Sequence, residues 1–502
     1  MTSEREAKLT ASTEVRLPNL DGLITGATAF ALAGRNLDAT YYDTAGLDLA
    51  RSGITLRHRS GEAGPSWTLK LPGDRVGQVV TRNELTFEGS PTDVPAAARD
   101  LVSAHVRSRP LVQIARLETS RSPVEFRDAT GERLAEIVDD RVIVREGSPQ
   151  AQEFREIEIE VFAKGRVGDQ LLVAAVDRLV GVGCRTDTPL PKLIRALGAR
   201  ALEPPELVLP PVGRKAPLQR LVRQALAHSV LQMLQHDPGV RLGQNNEELH
   251  QFRVGIRRLR SDLRTFRPLL KPTPIQTLRD ELRWLGSAVG AVRDNDVLAE
   301  RLRAETETLP KEDDSGTRVL QSFLASQADT ARSAMLLALR SPRYFALLDL
   351  LVQAANEPPI RAECAEQANR PASRVSSKFM RRPWRRITEA VATLGDDPPD
   401  LALHQIRILA KRCRYAAQAV APVIDQATRL AAVLADLQTV LGELHDTVIT
   451  EAWLRRAAVS EPDCALVAGE LILLQRIDRA RLRSEWQANW KRASAKKLCS
   501  WI

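Results

Sequence analysis

The 502-residue chain changes its pattern of apolar and polar positions once, near residue 200. Before that point, short segments such as 4–8 and 156–160 carry a charged residue at every second position. Residues two apart in a β-strand point to the same side, so this alternation predicts strands with one charged and one apolar face. After residue 200, long Leu/Ala/Arg-rich segments show helical periodicity. We therefore predict a β domain followed by an all-α domain.

Proline-rich composition marks the boundary between the two parts. Five prolines lie between residues 201 and 217, which favours an extended spacer over a helix or strand. We predict domains at 1–200 and 218–502, joined by a linker at 201–217. Residues 1–200 hold 27 basic and 28 acidic residues, so the net charge of +9 comes from the later part. That excess suggests a polyanionic partner, although it also serves solubility.

The helical part contains an internal repeat, with copies at about 218–355 and 370–502. Residues 249–253 (LHQFR) recur as 403–407 (LHQIR), and 290–297 recur as 442–449. On a helical wheel, one basic stripe in each copy lies opposite an apolar face. Like charges at this spacing repel, so a bound polyanion is the simplest compensation, with a solvated or acid-paired face as the alternative. The stripe residues are His250, Arg253, Arg257, Arg260 and Arg264, then His404, Arg407, Lys411 and Arg414.

The alternating segments together carry a family resemblance. The first roughly 200 residues resemble the CYTH domain of the triphosphate tunnel metalloenzymes, whose signature is an N-terminal ExExK strand. Pro191 stands where that family usually has a small hydroxyl residue. The matching positions are Glu4-x-Glu6-x-Lys8, Tyr42-Asp43-Thr44, Arg57-x-Arg59, Lys70, Arg82-x-Glu84, a turn at Asp139-Asp140-Arg141, Glu156-x-Glu158-x-Glu160 and Lys192.

The resemblance implies an α+β protein whose N-terminal domain is an eight-stranded antiparallel β tunnel. It implies metal-dependent hydrolysis of inorganic tripolyphosphate or an organic triphosphate, with Mg²⁺ or Mn²⁺ as cofactor. The implied catalytic residues are Glu4, Glu6, Lys8, Glu84 and Glu158. The implied phosphate ligands are Lys8, Arg57, Arg59, Lys70, Arg82, Arg116, Arg121 and Lys192. The implied metal ligands are Glu4, Glu6, Asp139, Glu156, Glu158 and Glu160.

The repeated basic stripe carries a second resemblance. Residues from about 215 onward resemble a CHAD domain, which implies two four-helix bundles related by a pseudo-twofold axis. It also implies that their basic helices bind inorganic polyphosphate in a shared groove. The alternative is a non-catalytic polyphosphate-binding or granule-associated protein. Nucleic acid is a less favoured partner because aromatic residues do not interleave with the arginines.

Other sequence features narrow the function classes. The five cysteines are scattered, and the chain has no GxxxxGK[ST], HExxH or GxGxxG motif. The N-terminus is charged and no apolar stretch is long enough to span a bilayer, so we expect a cytoplasmic protein with no membrane partner, located in part at polyphosphate granules. The sequence leaves open which triphosphate is used, the number of metal ions and the oligomeric state.

Overall fold

The structure is a computed structural model that describes residues 5–24, 26–62, 64, 66–76, 79–148, 153–163, 165–186 and 190–502, with backbone alone at 5, 74–76 and 79–82. The chain divides into two compact units between Glu206 and Leu207, inside the predicted linker. The fold class is confirmed: an antiparallel sheet is followed by a helical region.

The first unit is built on one nine-stranded sheet with the order β1-β9-β8-β7-β3-β4-β5-β6, and β2 pairs with β7. The short β2 adds a strand to the eight that were predicted. The strands are β1 (Arg5–Ala11), β2 (Thr28–Ala31), β3 (Arg35–Asp43), β4 (Thr55–Ser60), β5 (Trp67–Val76), β6 (Val79–Phe87), β7 (Val112–Arg127), β8 (Arg133–Glu146) and β9 (Glu153–Val161). The helices are α1 (Asp48–Arg51), α2 (Ala96–Val106), α3 (Gly165–Gly181) and α4 (Lys192–Leu197).

The two faces of this sheet differ as the alternation predicts. On one face, Leu9, Ile157 and Ile159 are buried in a hydrophobic core that α3 helps to build. Each such side chain contributes roughly 1.5–3 kcal/mol through burial. The other face carries charged residues in register, with Lys8 opposite Glu158 across β1 and β9. We call this second side the charged face.

The second unit consists of helices joined by short loops. Short 3-10 helices lie at Lys311–Asp313, Ala362–Cys364 and Pro462–Cys464. The helices are α5 (Leu218–Leu242), α6 (Asn246–Thr265), α7 (Pro272–Thr306), α8 (Asp314–Leu339), α9 (Pro342–Asn356), α10 (Ala365–Asn369), α11 (Ala372–Val375), α12 (Lys378–Ala392), α13 (Asp400–Val420), α14 (Asp425–Ser460), α15 (Ala465–Ala493) and α16 (Lys496–Cys499).

The two repeats pack against each other through α6 and α13. Helix α6 begins where the Asn245 side chain accepts a hydrogen bond of 2.8 Å from the Glu247 N–H group, which satisfies a free donor of the first turn. Its apolar face is buried as predicted, with Phe252 and Ile256 nearly inaccessible. Leu298 and Trp453, on the two long helices α7 and α14, share a further core.

Candidate active site and polyanion groove

The charged face carries a cluster in which acids and bases contact each other. On β9, Glu158 Oε1 lies 3.0 Å from Lys8 Nζ and 3.3 Å from Lys192 Nζ. Lys192 is the first residue of α4, and its Nζ also lies 2.6 Å from Asp140 Oδ2 and 3.1 Å from Glu156 Oε1. Helix α4 therefore places one ammonium group among three carboxylates from two neighbouring strands.

Burial and neighbouring charges set opposite protonation tendencies for the two β9 glutamates. Burial alone raises the pKa of Glu158, but Lys192 and Lys8 outweigh it and hold the pKa well below its ordinary value. Burial raises the pKa of Glu156 despite Lys192. Glu156 Oε2 is buried without a hydrogen-bond partner among the described atoms, and Arg195 NH1 lies 3.6 Å away. Glu158 is thus a fixed anion, whereas Glu156 has an oxygen that could accept another ligand.

The basic side of the cluster comes from three other strands, β7, β4 and β5. Arg121 on β7 donates to both oxygens of Asp140, at 2.9 and 2.7 Å. On β4, burial and the neighbouring Arg57 lower the pKa of Arg59. The buried Nε of Arg57 lacks a hydrogen-bond partner within the described residues. Lys70 on β5 contacts a β6 carboxylate at 2.7 Å. Arg57 therefore has a guanidinium donor at this site that is not used within the described residues.

The structure brings most of the predicted tunnel residues onto the charged face. Glu4 and the Arg82 side chain lie outside the described residues and side chains. Glu160 pairs with Glu6 across β9 and β1, so both follow the same face. The residues that the register and contacts bring together are Glu6, Lys8, Arg57, Arg59, Lys70, Glu84, Arg121, Glu156, Glu158, Glu160 and Lys192.

Asp139 and Arg116 do not join this cluster. Asp139 binds Arg155 at 2.7 Å, and Arg116 binds Asp38, both on the opposite face. The predicted turn at 139–141 is wrong, because these residues lie inside β8. Adjacent strand residues face opposite sides, so Asp140, which the sequence reading did not select, enters the site in place of Asp139.

Carboxylate oxygens are the ligands that Mg²⁺ and Mn²⁺ prefer. Within the described part of the chain, no three acidic, histidine or cysteine side chains form a preassembled metal cluster. The donor chemistry nevertheless fits such an ion, because Glu156 Oε2 is unpartnered there and Glu158 is held as an anion. Residues Glu6, Glu156, Glu158 and Glu160 could hold it.

In the helical unit, the two basic stripes face each other across α6 and α13, forming what we call the basic groove. Burial and the positive charges of Arg407, Arg257 and Arg253 together lower the pKa of Lys411 to about 7. Burial also lowers the pKa of Arg257, with repulsion from Arg253 and Arg414. Cations from separate repeats therefore share one partly desolvated space.

Four guanidinium groups of the basic groove each have a buried nitrogen that has no hydrogen-bond acceptor among the described atoms. Each such group loses water without gaining a hydrogen bond, which costs about 1–3 kcal/mol. A bound anion would recover this loss. The atoms are the Nε of Arg257, Arg407, Arg412 and Arg414.

Two equivalent glycines of the second repeated segment lie beside the basic stripes. A Cβ on Gly290 of α7 would lie 3.9 Å from Arg253 NH2, and one on Gly442 of α14 would lie 3.6 Å from Arg407 Nε. These equivalent positions leave space for the two arginines to extend along a helix. Both distances are ordinary van der Waals contacts, so an alanine would fit at either position.

One end of the groove also contains acids and histidines. Arg253 lies 3.0 Å from Asp294, and burial raises the pKa of Asp446 despite Arg407. The His404 and His445 rings contact each other, with centroids 3.9 Å apart. Burial and the charge of His404 lower the pKa of His445 to about 4, so it is neutral at physiological pH.

His250 lies near the same end, where burial lowers its pKa against the attraction of Glu247. The opposite end is more basic. Burial lowers the pKa of Arg264 to about 10, with repulsion from Arg412, Arg279 and Arg386. Burial also lowers the pKa of Arg260, and repulsion from Arg279 adds to the effect. Arg412, Arg279 and Arg386 were not part of the stripe predicted from the sequence, because they come from other helices or another helix face.

Comparison with known proteins identifies the family. A CYTH domain model matches residues 2–172 and a CHAD domain model matches 224–455. An uncharacterized protein of Mycobacterium tuberculosis is 33% identical over 472 residues, covering 90% of this chain and 87% of the relative. The chain is a CYTH–CHAD protein. Within the described residues of this CYTH–CHAD protein, the helices are all too short or too polar to cross a membrane.

Two solved structures are similar to the helical part of the CYTH–CHAD protein. The CHAD domain from the plant Ricinus communis is 26% identical, with a TM-score of 0.47, over 57% of this chain and 95% of that one. PptA from Streptomyces chartreusis is 24% identical, with a TM-score of 0.47, over 55% of this chain and 100% of that one.

Proposed function

We propose that the CYTH domain hydrolyses a triphosphate with a divalent metal ion and that the CHAD domain binds inorganic polyphosphate. The observation that carries the first part is Glu158, a fixed anion between Lys8 and Lys192 on a face that also presents arginines. A surface that only binds phosphate would be weakened by such acids, because they repel the ligand. A site for a metal–phosphate complex needs both signs of charge.

The residues divide by charge into two roles. Arg57, Arg59, Lys70 and Arg121 would bind phosphate oxygens, the arginines with two donors each. Lys8 and Lys192 would exchange a carboxylate oxygen for a phosphate oxygen. A Mg²⁺ or Mn²⁺ ion held by the β1 and β9 glutamates would neutralise phosphate charge and activate water.

The test of hydrolysis is phosphate release by the full-length protein from a panel of triphosphates, with Mg²⁺ or Mn²⁺. The panel includes tripolyphosphate, ATP and another organic triphosphate. We expect metal-dependent release from at least one. Binding of tripolyphosphate without release from any panel member would contradict the hydrolase and support the alternative, a polyphosphate-binding protein associated with granules.

For the CHAD domain, the supporting observation is the set of buried guanidinium nitrogens without acceptors in the basic groove. A linear polyanion supplies acceptors to both stripes at once. Binding to long-chain polyphosphate should weaken steeply with salt, because each phosphate contact releases counterions.

The groove is tested by charge reversal in the full-length protein. We expect Arg253→Glu with Arg257→Glu to lose far more polyphosphate affinity than Arg455→Glu with Arg456→Glu, since the control pair is exposed on α14. Equal losses would show that net charge alone holds the polymer. Tighter binding to duplex DNA than to polyphosphate at matched salt would indicate that the basic groove binds nucleic acid instead.

A further inference from the structure

The chain directly after β4 brings a carboxylate, Glu62, onto the charged face. Gly61 adopts a φ of +95°, and a Cβ there would lie only 2.1 Å from the Asn36 carbonyl oxygen, so a glycine is required. The Arg59 N–H group donates a 2.7 Å hydrogen bond to the Ser66 carbonyl, which ties the two ends of the loop together. The close approach of Gly61 to Asn36 and the hydrogen bond from Arg59 to Ser66 fix the backbone on either side of Glu62.

Glu62 contacts two of the proposed phosphate ligands. Its Oε2 accepts a short hydrogen bond from Arg59, and its Oε1 lies 3.6 Å from Arg121 NH1. These arginines stand on β4 and β7, which β3 separates in the sheet. The Glu62 side chain is only 21% exposed, so solvent screens these interactions less than at an open surface.

A carboxylate between two guanidinium groups has the same charge sign and acceptor geometry as a phosphate group. A phosphate reaching Arg59 and Arg121 must therefore displace Glu62 or share its donors. Arg121 remains anchored by Asp140 through two hydrogen bonds, so it keeps its position when Glu62 leaves. Arg59 would then be free to turn to the ligand.

We propose that Glu62 is an internal competitor that occupies a phosphate position between Arg59 and Arg121 and must be displaced by the triphosphate. The inference rests on the proposed function, which assigns these arginines to phosphate. Only an anion that gains contacts elsewhere on the charged face can offset this displacement. Glu62 thus lowers affinity for all phosphates and discriminates against orthophosphate, whose few contacts cannot replace the lost ion pairs.

The test measures metal-free binding of tripolyphosphate and of orthophosphate to the full-length protein by calorimetry in EDTA. Glu62→Gln keeps the side-chain size but removes the charge. We expect it to bind tripolyphosphate roughly tenfold more tightly, about the effect of one charge-assisted contact. Orthophosphate binding should become measurable. Glu132→Gln, an exposed change on the β7–β8 turn, controls for net charge and should leave both affinities within about twofold of wild type.

A double-mutant cycle separates this inference from the proposed function. If Glu62 acts by competing for Arg59, the gain from Glu62→Gln should largely vanish in an Arg59→Ala background. The CHAD domain is unchanged in every variant, so phosphate bound there makes the same contribution to each titration and does not alter the comparison between variants. Glu62→Ala provides a second neutral variant, and thermal melting checks that each protein is folded.

Unchanged or weaker tripolyphosphate binding in Glu62→Gln and Glu62→Ala would overturn the proposal, because Glu62 would then be positioning the arginines or be irrelevant. A gain that persists in the Arg59→Ala background would also overturn it. If the charged face does not bind phosphate at all, the result is different. Arg57→Ala would then bind tripolyphosphate as tightly as wild type, whatever the effect of Glu62→Gln.

Discussion

Polyphosphate binding to the basic groove should take up a proton at Lys411. Burial and repulsion from Arg407, Arg257 and Arg253 together lower the pKa of this lysine to about 7, against a weaker attraction from Asp446. At pH 9 the free protein therefore carries Lys411 mostly neutral. A polyanion in the groove reverses the local potential and restores the ammonium form. Because binding is then coupled to protonation, affinity must rise as the pH falls.

The size of the effect follows from the pKa change. If bound phosphate returns the pKa of Lys411 to between about 9 and its ordinary 10.5, affinity at pH 7 exceeds that at pH 9 by roughly 25- to 50-fold. In the free protein, burial holds the pKa values of His404 and His445 below 6.5, so both histidines are neutral from pH 7 to 9. Any proton that bound polyphosphate adds to them would remain in the Lys411→Arg variant, so the part of the pH dependence that this variant loses belongs to Lys411.

The assay is titration of the full-length protein with long-chain polyphosphate at constant ionic strength from pH 7 to 9. Calorimetry in buffers of different ionisation enthalpy would count the protons taken up. Lys411→Arg keeps the charge at every pH and should flatten the profile while retaining binding at pH 9. Equal pH profiles in wild type and Lys411→Arg would refute the reasoning, as would the absence of proton uptake at pH 8.

Three further predictions concern other positions. Arg57→Ala should weaken triphosphate binding strongly and Arg57→Lys should restore it only in part, which a binding titration checks, because an ammonium group cannot replace the planar guanidinium. Glu6→Gln should abolish metal-dependent phosphate release while leaving the circular dichroism spectrum unchanged. Burial raises the pKa of Asp262 to about 7. The unfolded protein therefore loses this proton more readily than the folded protein, and Asp262 lowers the free energy of unfolding increasingly from pH 3.8 to 7. Asp262→Asn should therefore raise stability in denaturant titrations at pH 8, by up to about 4 kcal/mol, and an unaltered midpoint would contradict this.

Strand periodicity predicted much of the charged face, because alternation fixes which residues share a side. It placed Lys8 with Glu6 and Arg57 with Arg59 before any pairing was known. It could not choose between the adjacent acids Asp139 and Asp140. That choice depends on the register between β8 and β9, which sets Asp140 opposite Glu156.

Contacts between distant segments could not be predicted in the same way. Glu62 lies in a loop without periodicity, and its two arginine contacts depend on how the chain directly after β4 meets the charged face. In the helical unit, the wheel predicted each basic stripe, but the meeting of the stripes depends on the packing of α6 against α13. Arg386 joins the groove from α12, where no repeat signalled it.

Under the proposed function, the charged face of the CYTH domain is a metal-dependent phosphohydrolase site organised by Glu158. The most direct test is phosphate release from the preferred triphosphate by the full-length protein, with and without Mg²⁺ or Mn²⁺, in parallel with Glu158→Gln and the exposed control Glu132→Gln. We predict metal-dependent release by wild type and Glu132→Gln, and loss of release in a folded Glu158→Gln protein. Undiminished release by Glu158→Gln would contradict it.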